Sequence, residues 1–123
     1  MKLGVPGERV PGERRVALAP AHVPSLVKAG FEVIVEPGAG EPSGYADADY
    51  EARGASLSTS VREEADVLLT VRSAAAGGEN DPGPGRDGQT IIGFLEPYAP
   101  HAAFTKLREK KATAFSMELI PRI

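Results

Sequence analysis

The sequence predicts a doubly wound α/β domain with a mostly parallel sheet, and three observations indicate it. Short apolar runs typical of buried strands recur along the chain, helical patterns lie between several of them, and Gly- or Pro-containing turns join the two. A strand, a helix and a second strand joined by short turns form a βαβ unit with parallel strands. The 123 residues suffice for one hydrophobic core, so we treat residues 1–123 as a single lobe.

The predicted strands are short apolar runs bounded by turn-forming residues. In chain order they cover residues 2–5, 31–35, 55–57, 66–71, 90–95 and 112–115. The run at 66–71 has the clearest pattern of a buried strand, and the run at 55–57 is a minor candidate. We therefore expect five main strands and one minor strand, with right-handed crossovers.

Helical patterns separate these strands. The i, i+3, i+4 stripe of Val23, Leu26 and Val27 predicts a helix that ends at Gly30. Pro24 would remove a hydrogen bond from a helix interior, which favours a helix start nearer Pro24 than Pro20. The remaining helical patterns cover residues 47–53, with Asp47 as N-cap and Gly54 as stop, residues 60–64, and a segment that contains Phe104 and Leu107.

Residues 73–88 form the longest predicted loop. Seven of its sixteen residues are Gly or Pro, a composition that predicts a flexible surface loop or linker instead of a regular element. The strand pattern resumes at Thr90, so we place no domain boundary in this segment.

Composition excludes several classes of function. The net charge is −3 with acidic and basic residues interspersed, so nothing predicts binding to nucleic acid or to an anionic membrane surface. The chain has no cysteine, which excludes disulfides and thiolate chemistry. No apolar run approaches the roughly 18 residues of a membrane span, and the N-terminal apolar segment is too short for a signal peptide. These features favour a cytoplasmic location.

The glycine-rich segment 38–44 follows a predicted strand and superficially resembles a dinucleotide-binding fingerprint. Its third glycine comes one place late, Pro42 disrupts the turn, and no long apolar helix begins there. A plain turn after the strand is therefore favoured over a phosphate site.

Arginines are the candidate ligand-binding residues, because ligands of parallel α/β sheets bind where the strands end. Arg14 and Arg15 lie in the loop after the first strand, Arg72 ends the strand at 66–71, and Arg122 follows the last strand. Each can clamp an anion through its guanidinium. Each is also compatible with a surface charge or an ion pair; Glu8 and Glu13 flank Arg14 and Arg15.

The candidates for acid–base or metal chemistry are few. Glu96 follows a buried strand and is a candidate general base, although a lone carboxylate carries little evidence. His22 and His101 each lie near a proline at a helix start, and neither has a partner at the spacing of a triad or metal site. We nominate no catalytic residue and no metal ligand.

Four segments resemble one protein family. They are residues 2–6, 11–20, 30–40 and 115–123. The chain resembles the N-terminal domain shared by alanine dehydrogenase and the alpha subunit of the proton-translocating NAD(P) transhydrogenase. The resemblance covers nearly the whole chain and is weakest in the loop at 73–88. It implies a Rossmann- or flavodoxin-like lobe.

Two places distinguish the branches of this family. Alanine dehydrogenases carry a catalytic histidine after a Phe-Leu pair, and here Glu96 follows Phe94 and Leu95. Where those enzymes use a lysine, this chain has Arg72, which differs in geometry and hydration. The ending at 117–123 is similar to the start of a transhydrogenase segment. The resemblance therefore favours the transhydrogenase branch.

The resemblance also implies site residues and a cofactor. Arg122 matches an arginine in the segment that contacts bound NAD(H), and Arg15 matches the arginine that binds the substrate carboxylate in alanine dehydrogenases. Arg72 is a further substrate-like candidate. NAD(H) would bind the complete protein, with NADP(H) on a partner component. The glycine-fingerprint domain is missing, so the chain looks truncated before the dinucleotide-binding domain and is expected to be inactive and to bind NAD(H) weakly by itself.

The implied reaction is hydride transfer between NADH and NADP⁺ coupled to proton movement. The implied partners are membrane-embedded and NADP-binding components and a second alpha component in a homodimer. The location would be cytoplasmic and peripheral to the inner or plasma membrane. Two alternatives remain: an alanine dehydrogenase-type amino-acid oxidoreductase, and a non-catalytic scaffold lobe.

Overall fold

A six-stranded parallel sheet forms the centre of the protein. The computed structural model describes residues 1–72, 82–98 and 103–122. The strands are β1 (Lys2–Val5), β2 (Glu32–Val35), β3 (Ser56–Leu57), β4 (Val67–Arg72), β5 (Thr90–Phe94) and β6 (Thr113–Ser116). Their order is β3-β2-β1-β4-β5-β6, and every neighbouring pair is parallel. The predicted doubly wound fold is confirmed, and the minor strand at 55–57 is present as β3.

Helices cover both faces of the sheet. They are α1 (Val23–Lys28), α2 (Asp47–Ala52), α3 (Val61–Glu64) and α4 (Ala103–Glu109). In the described part of the chain, three short 3-10 turns lie next to helix or strand ends: Pro20–His22, Glu41–Ser43 and Met117–Leu119. The order of strands reverses beside β1, because the chain first builds outward to β3 and then returns to add β4 on the other side.

The core consists of two apolar clusters, one on each face of the sheet. One is built on α1 and α2 and contains Val5, Leu18, Val23, Val33, Val35, Ala39, Tyr50 and Ala55. The other is built on α3 and α4 and contains Ile34, Val61, Ala65, Leu68, Ile91 and Leu107. Strand β2 shows why two clusters form: Val33 and Val35 enter the first and Ile34 the second, as the two-residue period of a strand requires.

The first helix starts where its two prolines can be tolerated. Pro20 opens a 3-10 turn, and α1 begins at Val23, so Pro24 lies in its first turn. An N–H in the first turn has no partner within the helix, so proline costs little there. The expected start near Pro24 is confirmed.

The predicted N-cap of α2 is wrong. Ala46 occupies the cap position, and Asp47 is the first helical residue. The Asp47 carboxylate accepts the N–H of Gly38 at 2.9 Å, and the Asp49 carboxylate accepts the N–H of Ala46 at 3.3 Å. Asp47 therefore stabilises the turn after β2, a contact that the local helix pattern does not reveal.

Part of the predicted long loop packs against α3. Residues 73–81 lie outside the described part of the chain, whereas residues 82–88 form turns without a helix or strand. Buried Gln89 holds these turns: its amide oxygen accepts the Gly85 N–H at 3.0 Å, and its amide nitrogen donates to the carbonyls of Arg62 and Ala65, both at 2.7 Å. The carbonyls at the end of α3 are thereby satisfied.

We expect Gly4→Ala to destabilise the protein strongly. A Cβ atom at Gly4 would lie 2.5 Å from the Ala65 Cβ and 2.8 Å from the Val61 Cγ1, closer than van der Waals contact allows. Overpacking of this kind costs about 1–3 kcal/mol of unfolding free energy, which urea denaturation can measure. Adding Ala65→Gly should recover part of the loss. An unchanged denaturation midpoint for Gly4→Ala alone would contradict the close packing of β1 on α3.

Candidate functional site

An open cleft lies at the carboxyl edge of the sheet, the edge at which all six parallel strands end. It is near the reversal of strand order between β1 and β4, where ligands of doubly wound folds bind. We call it the edge cleft. It measures about 370 Å³ and is lined by Arg15, Val16, Ala17, Leu69, Thr70, Val71, Ile92, Phe94 and Met117. Most of these side chains are apolar, with one guanidinium among them.

Glu8 connects the loop after β1 to β4 at the reversal point, the place between β1 and β4 where the strand order reverses. Strand β1 pairs with β4 at Leu3 and Gly4, so the later N–H groups of β4 have no partner on β1. The Glu8 carboxylate accepts the N–H of Val71 at 3.1 Å and that of Arg72 at 2.7 Å. The loop after β1 is thereby tied to the end of β4, beside the edge cleft.

Arg15 lies at the edge cleft and already holds a carboxylate. Its Nε and terminal nitrogen donate to the two oxygens of Glu13 at 3.0 and 2.7 Å, and its backbone N–H adds a bond of 3.0 Å. The hydrogen bond from the Arg15 side chain is the main reason why the pKa of Glu13 falls to about 2. In return, Glu13 raises the pKa of Arg15. The sequence allowed either an anion clamp or an ion pair, and the structure has the ion pair.

Tyr50 fixes the segment that follows Arg15. Its ring is fully buried, and its hydroxyl donates to the Leu18 carbonyl at 2.7 Å. Burial, with smaller contributions from Tyr45 and Asp47, raises the pKa of Tyr50 to about 12. The phenol therefore remains a donor throughout the ordinary pH range.

The glycine-rich segment 38–44 is built around this tyrosine. A Cβ atom at Gly40 would lie 2.7 Å from the Tyr50 Cε2, so the backbone passes close to the ring. The segment forms turns and a three-residue 3-10 helix, and the Ser43 hydroxyl donates to the Arg14 carbonyl. The favoured interpretation as a plain turn agrees with this geometry.

Arg72 and Glu96 meet at the ends of β4 and β5. A terminal nitrogen of Arg72 lies 3.6 Å from the Glu96 Oε1. Glu96 has a φ of 50°, a left-handed conformation that is uncommon for residues other than glycine, and it precedes Pro97. Its position beside Arg72 therefore depends on contacts that hold this strained backbone.

Glu118 supplies those contacts. Its carboxylate accepts the N–H of Leu95 at 3.1 Å, the N–H of Glu96 at 2.7 Å and the hydroxyl of Ser116 at 2.6 Å. Burial raises the pKa of Glu118, but the hydrogen bonds from Ser116 and from backbone N–H groups outweigh it and lower the pKa to about 2. The carboxylate is therefore charged at neutral pH.

The remaining predicted residues lie away from the edge cleft or outside the described chain. Arg122 is exposed beyond the 3-10 turn Met117–Leu119, and Arg14 directs its Nε toward the Pro42 carbonyl at 3.5 Å. His22 is exposed in its 3-10 turn, and His101 lies outside the described residues. Of the four candidate arginines, Arg15 lines the cleft and Arg72 adjoins its Val71 wall.

Sequence reasoning missed the positioning roles of Glu8 and Glu118. Glu8 lies more than sixty positions from Val71, and Glu118 lies 22 positions from Glu96. No local sequence pattern predicts such contacts, because predicting them requires knowledge of the strand order. Within residues 1–72, 82–98 and 103–122, no group of three or more His, Cys, Asp or Glu side chains is arranged to hold a metal ion. Over the same residues, the helices are too short or too polar to cross a membrane.

Comparison with known proteins assigns the family. Residues 4–123 match the family model described as "Alanine dehydrogenase/PNT, N-terminal domain". The chain belongs to this family. The suspected resemblance is confirmed, and the oxidoreductases among its relatives fall into the two expected branches.

Both branches are represented at similar sequence distance. The chain is 38% identical to the NAD(P) transhydrogenase subunit alpha of Cereibacter sphaeroides over 100% of its length, which is 24% of that protein. It is 37% identical to alanine dehydrogenase of Mycobacterium tuberculosis over 98% of its length, 32% of that enzyme. A solved transhydrogenase from Sinorhizobium meliloti superimposes with a TM-score of 0.89 at 36% identity, over 100% of this chain and 35% of that one. The chain thus spans about a quarter to a third of the length of the relatives that it matches.

We expect Tyr50→Phe to destabilise the lobe by about 1–3 kcal/mol, because the buried Leu18 carbonyl would lose its hydrogen-bond partner. Denaturant unfolding of both proteins gives the difference. Tyr45→Phe is the matched control, since Tyr45 is partly exposed and should change stability little. Equal effects of the two substitutions would contradict the role assigned to the Tyr50 hydroxyl.

We expect stability to fall as the pH drops from about 4.5 toward 2. The pKa of Glu13 and that of Glu118 lie near 2 in the folded protein, below the ordinary value of 4.5. The unfolded chain therefore binds more protons in this window, so the stabilisation is present above pH 4.5 and is lost as the pH falls through the folded pKa. Urea unfolding across this range should show a shallower slope for Glu118→Gln than for the wild type. A wild-type slope in Glu118→Gln would contradict the role assigned to the hydrogen bonds that Glu118 accepts.

Proposed function

We propose that the chain is the first lobe of the NAD(H)-binding component of a proton-translocating NAD(P) transhydrogenase. Hydride would pass directly between NADH and NADP⁺ held on separate components, while a membrane component couples the transfer to proton movement. The proposed partners are the NADP-binding and membrane-embedded components and a second copy of the NAD(H)-binding component. The complete assembly would place this lobe in the cytoplasm, peripheral to the membrane.

The observation that carries the proposal is the pair formed by Arg72 and Glu96. By the resemblance, these positions hold the lysine and the catalytic histidine of alanine dehydrogenases. A guanidinium 3.6 Å from a carboxylate supplies neither an imidazole with a pKa near neutrality nor a compact ammonium group. The groups needed to handle a keto acid are therefore replaced, which favours a lobe that positions a dinucleotide.

The edge cleft fits the ring end of a dinucleotide better than its phosphates. Val16, Phe94 and Met117 offer apolar walls against which a flat ring can pack. The segment 38–44 packs around Tyr50 and contains a three-residue 3-10 turn, too short to act as a phosphate-binding helix N-terminus. The bound dinucleotide would supply the hydride chemistry, and residues of this lobe would orient the ring and exclude water. Arg122 is the proposed cofactor contact beyond the cleft.

An alanine dehydrogenase-type oxidoreductase is the second candidate. Two observations favour it: the 37% identity to the Mycobacterium tuberculosis enzyme and the position of Arg15 on the edge cleft. Its substrate would be a small amino or keto acid held through its carboxylate.

The complete enzyme that contains this lobe is expected to reduce an NADP⁺ analogue with NADH when its partner components are present. It should form no NADH from NAD⁺ and alanine. Both reactions are followed by the absorbance of the reduced nicotinamide. Alanine-dependent NADH formation would instead identify the second candidate, and the absence of both activities would favour a scaffold lobe.

The isolated 123-residue chain is the matched control for this assay. It contains the edge cleft and Arg122 but corresponds to only about a quarter to a third of the length of its relatives. It should transfer no hydride, and titration calorimetry should detect no micromolar binding of NADH. Micromolar affinity would show that this lobe alone holds the cofactor.

A further inference from the structure

Three arginines at the carboxyl edge share one property: each contacts a glutamate of the same chain. Arg9 pairs with Glu36 at 2.8 Å, Arg15 with Glu13 at 2.7 Å, and Arg72 with Glu96 at 3.6 Å. Arginine at such an edge is suited to clamp a carboxylate or phosphate from outside. Here internal carboxylates occupy these positions, so the three guanidinium groups are neutralised where external anions would bind.

The pair of Arg72 and Glu96 differs from the other two in its backbone. Glu13 is two residues from Arg15 and reaches it locally, whereas Glu36 and Glu96 each follow a different strand from the one before their arginine. Of the three glutamates, Glu96 has a left-handed φ, of 50°, which its position before Pro97 disfavours further. A strained residue of this kind persists when its surroundings hold it, and such residues concentrate at functional sites.

Glu118 holds the backbone of Glu96 through hydrogen bonds. Its two carboxylate oxygens take the consecutive N–H groups of Leu95 and Glu96, and one of them also takes the Ser116 hydroxyl. Two consecutive N–H groups that point at one carboxylate fix the orientation of the peptide between them. The direction in which the Glu96 side chain leaves the backbone is thereby fixed as well.

We propose that Glu96 is an internal occupant of the anion-binding position of Arg72, that Glu118 holds it there, and that this arrangement excludes small carboxylates from the end of β4. Glu96 is then a specificity-determining residue and Glu118 a positioning residue. This inference rests on the proposed function. In a lobe that positions a dinucleotide, the arrangement would keep keto acids from binding at the same edge.

The test is a titration of the 123-residue chain with sodium acetate at constant ionic strength. The side-chain Nε–H resonance of Arg72 reports binding at that position. In the wild type its shift should saturate only at a higher acetate concentration than in the Glu96→Gln variant. Glu96→Gln removes the internal carboxylate and keeps the side-chain shape, so acetate affinity at Arg72 should rise by about threefold to fivefold, the range available to a partly exposed ion pair.

Glu118→Ala tests the positioning role. It leaves the Glu96 carboxylate intact and removes the acceptors that hold its backbone, so acetate affinity at Arg72 should rise, as in Glu96→Gln. Leu3→Ala, a core substitution near the amino ends of the strands, controls for lost stability, and Glu32→Gln controls for lost charge. Neither control should raise the acetate affinity at Arg72.

Two results would overturn the inference. Equal acetate binding by the wild type and Glu96→Gln would show that Glu96 does not occupy the position. A wild-type acetate affinity at Arg72 in folded Glu118→Ala would show that Glu118 does not hold Glu96 there. The titration contains no dinucleotide, so either failure is distinguishable from a failure of the proposed hydride transfer.

Discussion

Backbone N–H groups near the ends of the strands need hydrogen-bond acceptors, and the structure of the carboxyl edge depends on how these acceptors are supplied. All six strands are parallel, so they all end at one edge of the sheet, and several N–H groups there donate to side chains instead of to a neighbouring strand. Glutamate carboxylates take several of them: Glu36 accepts from Gly7, Glu8 from the end of β4 and Glu118 from the end of β5. Bonds of this charge-assisted type are stronger than those between neutral groups.

These carboxylates also determine what the loops can do. Glu8 draws the loop after β1 across the reversal point, which brings Arg15, Val16 and Ala17 over the ends of β4 and β5. Tyr50 fixes the other end of the same loop through Leu18. The edge cleft therefore forms through contacts between distant parts of the chain. Its apolar walls come from the loop after β1 and from the ends of β4 and β5.

Much of the fold was predictable from local chemistry. The strand at 66–71 was evident because its apolar run is bounded by polar residues, and the helix that starts at Val23 was evident because its prolines restrict where a helix can begin. The minor strand β3 was the least certain element, since two residues carry little periodicity; its pairing with β2 decides it. The role of Asp47 could not be predicted, because its partner Gly38 belongs to another turn.

The sequence by itself determined the fold class, the order of most elements, the family and the arginines that concentrate where strands end. These properties depend on short-range periodicity, turn-forming residues and local motifs, all of which can be recognised along the chain. Only the tertiary structure decided which arginines meet a carboxylate, which of them borders the cleft, and how Glu118 holds Glu96 in a left-handed conformation. The reason is physical: contacts between β4, β5 and the segment after β6 exist once the strand order brings them together, and no local pattern encodes that order.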